Sequence, residues 1–146
     1  MPAEYEISTD PSRLDVERVH RFLSNEAYWS PGVAREVVER SIEHSMPFGV
    51  YLGDEQVGFA RVVTDRATFA WIADVYVEAG HRGHGLGKRL VAAMLEHPEL
   101  QGLRRWMLGT ADAHGLYRQF GFEGVVRSER FMARESGAAA QACSEG

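Results

Sequence analysis

Arg82-Gly83-His84-Gly85-Leu86-Gly87, entered from Asp74-Val75-Tyr76-Val77 and left through Lys88-Arg89-Leu90-Val91, is the stretch on which the reading of this chain turns. The apolar residues before it read as a strand. Leu86, Leu90, Val91, Met94 and Leu95 recur at helical intervals after it, until Pro98 stops them. Glycines between a strand and a helix let successive backbone N–H groups turn toward one point, with no side chain in the way. The helix adds its unpaired N-terminal N–H groups and the positive end of its dipole. A pyrophosphate is the natural occupant of such a turn, and Arg82 and Lys88 stand where they add positive charge.

Two other phosphate loops do not fit. A Walker A loop needs glycine where this chain has Arg82, and Ser or Thr where it has Arg89. A dinucleotide fingerprint is Gly-x-Gly-x-x-Gly, whereas the spacing here is Gly83-x-Gly85-x-Gly87.

Outward from the loop, the chain alternates strands and helices. Ala67 to Val77 reads as one long strand, preceded by a hairpin of Phe48 to Leu52 and Gln56 to Thr64 around Gly53-Asp54. Further back, Val33 to Ser45 reads as a helix, and Asp15 opens another with Val16, Val19, Phe22 and Leu23 on one face. Ser30-Pro31-Gly32 separates these two helices, and Glu4 to Ser8 reads as a first strand. Beyond the loop helix come a strand at Arg105 to Leu108, a short helix at Ala113 to Phe120, and one or two closing strands within Val125 to Met132. The order predicts mixed α/β architecture around a mostly antiparallel sheet flanked by helices.

With 146 residues there is room for one domain, expected over residues 1–134, and the Ala-, Ser- and Gly-rich stretch 135–146 reads as a disordered tail. The net charge of −5 argues against nucleic acid as the main partner. Cys143 is the single cysteine, which excludes a disulfide framework within the chain and a thiolate metal site. His81 and His84 lie on the loop rather than on one helix face, so no metal is expected. No apolar run approaches the roughly 20 residues that span a bilayer, and no signal-like start is present; a cytoplasmic location with no membrane partner is the expectation.

Arg82, Gly85 and Gly87 form an Arg-x-x-Gly-x-Gly pattern that resembles the acetyl-CoA signature of the GNAT superfamily of N-acetyltransferases. Ala113-His114-Gly115-Leu116-Tyr117-Arg118-Gln119-Phe120-Gly121-Phe122 resembles the Ala-x-x-Leu-Tyr-x-x-x-Gly-Phe segment of the same family. Thr110 departs from it, standing where many members have Asn. The resemblance implies acetyl-CoA as co-substrate and an amine as acceptor, with direct transfer in a ternary complex. It also implies a possible homodimer.

On that resemblance, Gly83, His84, Gly85, Leu86 and Gly87 join Arg82 and Lys88 around the cofactor, while Val75 and Val77 meet its pantetheine arm and thioester. Tyr117 is the expected proton donor to the departing thiolate, although its place on the helical face of Ala113, Leu116 and Phe120 also suits a core residue. Asp74 is the other catalytic candidate, either taking a proton from the amine or simply pairing with a nearby Arg. Tyr28 and Trp29 occupy the segment that shapes the acceptor pocket in the family, and a small satellite cluster is the alternative. Glu26 would add negative charge to such a pocket, and the acid balance favours a cationic small molecule over a protein acceptor. The rival function is a non-catalytic acyl-CoA-binding sensor or interaction module.

Overall fold

In the computed structural model, which describes residues 4–136, five strands lie in the spatial order of the sequence. They are β1 (Tyr5–Ser8), β2 (Met46–Leu52), β3 (Glu55–Thr64), β4 (Phe69–Val77) and β5 (Arg105–Met107). The first four form an antiparallel meander, and β5 joins β4 in parallel. The helices are α1 (Val16–Asn25), α2 (Arg35–Glu43), α3 (Leu86–Glu96) and α4 (His114–Arg118). This is the mixed α/β, mostly antiparallel arrangement expected from the alternation of patterns.

Both faces of the sheet are covered, which explains why β2 and β3 read as nearly unbroken apolar runs rather than alternating ones. On one face Phe48, Val50, Val57, Val62 and Ile72 pack against Leu90, Val91 and Met94 of α3. On the other, Phe59 and Tyr76 meet Val19, Phe22 and Leu23 of α1 and Val38 and Ile42 of α2. Phe22 and Tyr76 stack at 3.8 Å between centroids, pinning the C-terminal half of α1 over the end of β4. At the start of α1, Asp15 caps the Arg18 N–H and its own N–H donates to buried Gln56 on β3. Arg18 then reaches Glu78, just past β4, and Glu55. The segment that leads into the glycine loop is thereby tied to α1.

Element boundaries shift in ways the local chemistry explains. The expected strand from Ala67 begins at Phe69, because Asp65 takes the N–H groups of Ala67, Thr68 and Phe69 in a side-chain turn. The second helix starts at Arg35, since Ala34 is still extended at φ −71°, ψ 145°. The helix expected over Ala113 to Phe120 is shorter, His114–Arg118.

The closing strands expected within Val125 to Met132 are a correction: no strand forms there. Arg127 adopts a left-handed φ of 61°, and a single 3-10 turn follows at Ser128–Arg130. A left-handed residue breaks the extended path, and β5 offers just three residues of edge to pair with. Val126 and Met132 consequently remain exposed. Of the tail expected from residue 135, all but Glu135 and Ser136 lies outside the described residues. No helix among the described residues is long and apolar enough to cross a membrane.

Candidate active site

Strands β4 and β5 pair at three positions, Phe69 with Arg105, Ala70 with Trp106 and Trp71 with Met107. Beyond these β4 continues to Val77, while the chain after Met107 turns away through Leu108 and Gly109. A parallel pair that separates in this way leaves a gap between the two walls. Here the gap is a cleft of about 1140 Å³, reaching from the α1–α2 connection to the glycine loop.

A bulge shapes the β4 wall. Opposite Phe59 to Arg61 on β3, β4 uses Tyr76 to Ala73, so one extra residue is accommodated on β4. Asp74 absorbs it with φ 54°, a left-handed value that Asp tolerates better than most residues. Its carboxylate is mostly buried and both oxygens are engaged. Oδ1 accepts from the Trp29 indole at 2.8 Å, and Oδ2 accepts from Arg61 Nε at 2.6 Å. Of the two roles open to Asp74 in the sequence, the structure supplies the Arg partner. Arg61 and Trp71, which also line the cleft, carried no functional reading in the sequence.

The α1–α2 connection closes one end. Trp29 packs edge-on against Tyr28 at 5.1 Å, and the Tyr28 hydroxyl accepts from the Ala111 N–H at 3.3 Å. This short connection therefore bonds to both walls, to β4 through Asp74 and to the β5–α4 turn through Ala111. Tyr28 and Trp29 line the cleft rather than forming a cluster apart from it.

The glycine loop forms the other end. Gly83 and Gly85 have φ of 85° and 73°, and a Cβ on either would meet nothing within 4 Å. Gly87 differs: a Cβ there would lie 3.4 Å from the Leu116 side chain of α4, an ordinary packing contact. Among the described residues, the N–H groups of residues 83–88 make no hydrogen bond; the first paired one is Arg89, which donates to the Gly85 carbonyl. The result is an open cradle of donors at the start of a three-turn helix. Arg82 Nε donates to the Val77 carbonyl, fixing its guanidinium at the end of β4, and Lys88 lines the same region. His84 is the exception, because its ring packs against Tyr5 outside the cleft. Whatever His84 offers a ligand there is its backbone N–H.

Tyr117 stands on the wall opposite β4. Its side chain is 6 % exposed and packs against Phe122, yet it lines the cleft and its hydroxyl has no hydrogen-bond partner among the described residues. Burial, with a smaller contribution from the charge of Asp112, pushes the phenol up to about 12. The group therefore keeps its proton at neutral pH. Thr110, the departure noted in the sequence, spends its hydroxyl as an acceptor for the Ala113 N–H in the turn just before α4. No cluster of metal-ligating side chains occurs among the described residues.

The profile of the Acetyltransferase (GNAT) family matches residues 16–122, which contain every wall of this cleft except Glu135. The chain belongs to the GNAT acetyltransferase family. A provisionally named acetyltransferase of Gibberella zeae is 32% identical over 154 aligned positions, covering 84% of this chain and 86% of that protein. A GNAT-family structure from Xanthomonas campestris pv. campestris, also provisionally named an acetyltransferase, is 45% identical with a TM-score of 0.89. That match covers 93% of this chain and 95% of the other. At 21% identity, a Deinococcus radiodurans structure superposes with TM-score 0.71 over 90% of each chain and shows the shared fold. For this GNAT chain, the cradle of free N–H groups suits a phosphate-bearing ligand.

Proposed function

We propose that this protein transfers an acetyl group from acetyl-CoA to a primary amine by direct attack within a ternary complex. The observation that carries the reading is Tyr117: a buried, protonated phenol whose hydroxyl lacks a partner and lies on the cleft between the diverging strands. A core tyrosine is normally hydrogen-bonded, and one left free in a cleft is available to a substrate atom.

Acetyl-CoA supplies a thioester carbonyl for direct attack: a C–N bond forms, the C–S bond breaks and CoA leaves as the thiol. The free N–H groups of residues 83–88, with Arg82 and Lys88, hold the pyrophosphate. Beyond Trp71 the edge of β4 that faces β5 is unpaired, and its backbone near Val75 and Val77 receives the pantetheine and the carbonyl oxygen, where an N–H stabilises developing negative charge. Tyr117 donates its proton to the departing sulfur and regains one through solvent, matching the proton released by the amine. Asp74 fixes Trp29 and Arg61 as the acceptor wall, which makes it a positioning residue in this reading.

Incubating the protein with acetyl-CoA and a panel of amines, and measuring released CoA, tests the proposal. CoA release that depends on an added amine is the expected result. Tight acyl-CoA binding with no release from any amine would instead favour a non-catalytic sensor.

The positioning role of Asp74 has its own signature. Asp74→Asn keeps the left-handed backbone affordable and retains one acceptor, so the fold survives. The expected outcome is a several-fold rise in amine KM, with the acidic limb of the kcat/KM profile in place. Loss or displacement of that limb would show instead that the carboxylate takes the amine proton. Trp29→Ala should raise the amine KM in the same way and leave the acetyl-CoA KM nearly unchanged.

A further inference from the structure

The glycine loop is held at both ends, with little inside it to fix its middle. At the entrance Arg82 Nε donates to the Val77 carbonyl, and at the exit Leu86 is buried in the core beneath α3. Between them Gly83 and Gly85 are left-handed, and the N–H groups of residues 83–88 make no hydrogen bond among the described residues. His84, standing between those two glycines, carries the one side chain in this middle stretch. Its ring lies 5.5 Å from the ring of Tyr5 on β1. Tyr5 gathers two more contacts from the same region. Its hydroxyl and His81 Nδ1, in the turn before the loop, share a hydrogen bond of 3.0 Å across 76 residues of sequence. Arg89, in the first turn of α3, donates to the Tyr5 carbonyl at 3.0 Å. Residues before, within and after the loop thus converge on one residue of a distant strand, and that residue packs against the core between the sheet and α3.

A binding loop that is ready in only a fraction of molecules has its apparent affinity reduced by that fraction. Glycines aggravate the loss, because they have the most backbone freedom to give up. A support outside the cleft counters it without touching the ligand. We propose that Tyr5 is a positioning residue for the cofactor loop, holding His84 from the far side so that the free N–H groups face the pyrophosphate before acyl-CoA arrives. The first strand of the chain thereby takes part in cofactor binding, although it lines no part of the cleft. The proposal rests on the acyl-CoA reading of the loop and is independent of whether transfer to an amine follows.

The probe is CoA, titrated calorimetrically into the full chain and its variants. Tyr5→Leu removes the ring and hydroxyl but keeps the carbonyl that Arg89 holds, so β1 stays docked. Its CoA affinity should fall about tenfold. Tyr5→Phe retains the ring against His84 and should restore affinity to within about threefold of the wild type, the worth of one hydrogen bond. His84→Ala should weaken binding about as much as Tyr5→Leu, and the double variant should lose no more than either alone, because both changes remove one contact. Ile7→Ala is the comparison, since Ile7 lies two places along β1 and packs against the same core. It should lower the melting temperature yet leave CoA affinity within about twofold of the wild type. Wild-type affinity in folded Tyr5→Leu, additive losses in the double variant, or an equal loss in Ile7→Ala would overturn the proposal. A wild-type chain that does not bind CoA would overturn it together with the cofactor reading. The expected pattern of affinities without amine-dependent CoA release would support the positioning role and set aside the transfer reading alone.

Discussion

Tyr117→Phe should lower kcat about 100-fold while the acetyl-CoA KM stays within a few-fold, the lower end of what a positioned proton donor contributes. The ring is retained, so its packing on Phe122 and the buried face of α4 is unchanged. The pyrophosphate contacts lie on the glycine loop, so cofactor affinity should hold. What is lost is the one hydroxyl on this wall with no structural partner among the described residues. The pH dependence provides a second check. The folded-state phenol is raised from 10.0 to about 12, so it stays protonated through the neutral and mildly alkaline range. A basic limb in kcat well below pH 10 therefore belongs to another group. Because the folded value lies above the unfolded one, stability is at its full value below about pH 10 and is lost as the pH rises through about 12; the Phe variant should lack this component. A folded Tyr117→Phe protein with wild-type kcat, where chemistry limits turnover, would return Tyr117 to the core.

Gly85→Val should weaken CoA binding by well over tenfold, about 1.4 kcal/mol or more. Gly85 lines the cleft and precedes α3 with φ 73°, and a Cβ there meets no protein atom, so added bulk projects into open space. The pyrophosphate would have to share that space. A left-handed backbone costs an L-residue about 1–2 kcal/mol of stability besides, and a β-branched residue suits it poorly. Gly85→Asn separates the two effects, because Asn tolerates this conformation better. Calorimetry on variants shown to be folded reads the affinity directly. An unchanged CoA affinity for folded Gly85→Val would detach the loop from the cofactor.

The glycine loop was legible in the sequence because its information is local. Glycine spacing, the preceding strand and the following helical period all lie within a few turns of chain. Tyr117 was legible as a candidate through its segment, although a helical face alone could not distinguish a core ring from one lining a cleft. Asp74 shows where local reading stops. Its left-handed backbone, its extra place on β4 and its bonds to Trp29 and Arg61 depend on cross-strand register and on a loop far away in sequence. Arg61 was visible as a lone charge in the apolar run Val57 to Val63, a signal that gained meaning when its partner was known. Trp71 gave no such sign, since alternation along a strand assigns a face without saying which face opens onto a cleft. Val125 to Met132 failed for the opposite reason. Its composition suits a strand, but pairing needs an edge of matching length, and Arg127 turns the backbone out of the extended region.

The three-position pairing of β5 also governs how the molecule breathes. β4 is bonded along most of its length to β3, within a meander closed by two cores. β5 holds to the same strand at three positions, and α4 follows it as a helix of five residues. Local opening follows the fewest buried contacts, and an excursion that separates β5 and α4 from β4 leaves the meander intact. That excursion widens the cleft. Thermal fluctuation and ligand entry thus share one coordinate, and a ligand touching both walls damps the motion that admitted it, by as much as its preference for the closed form.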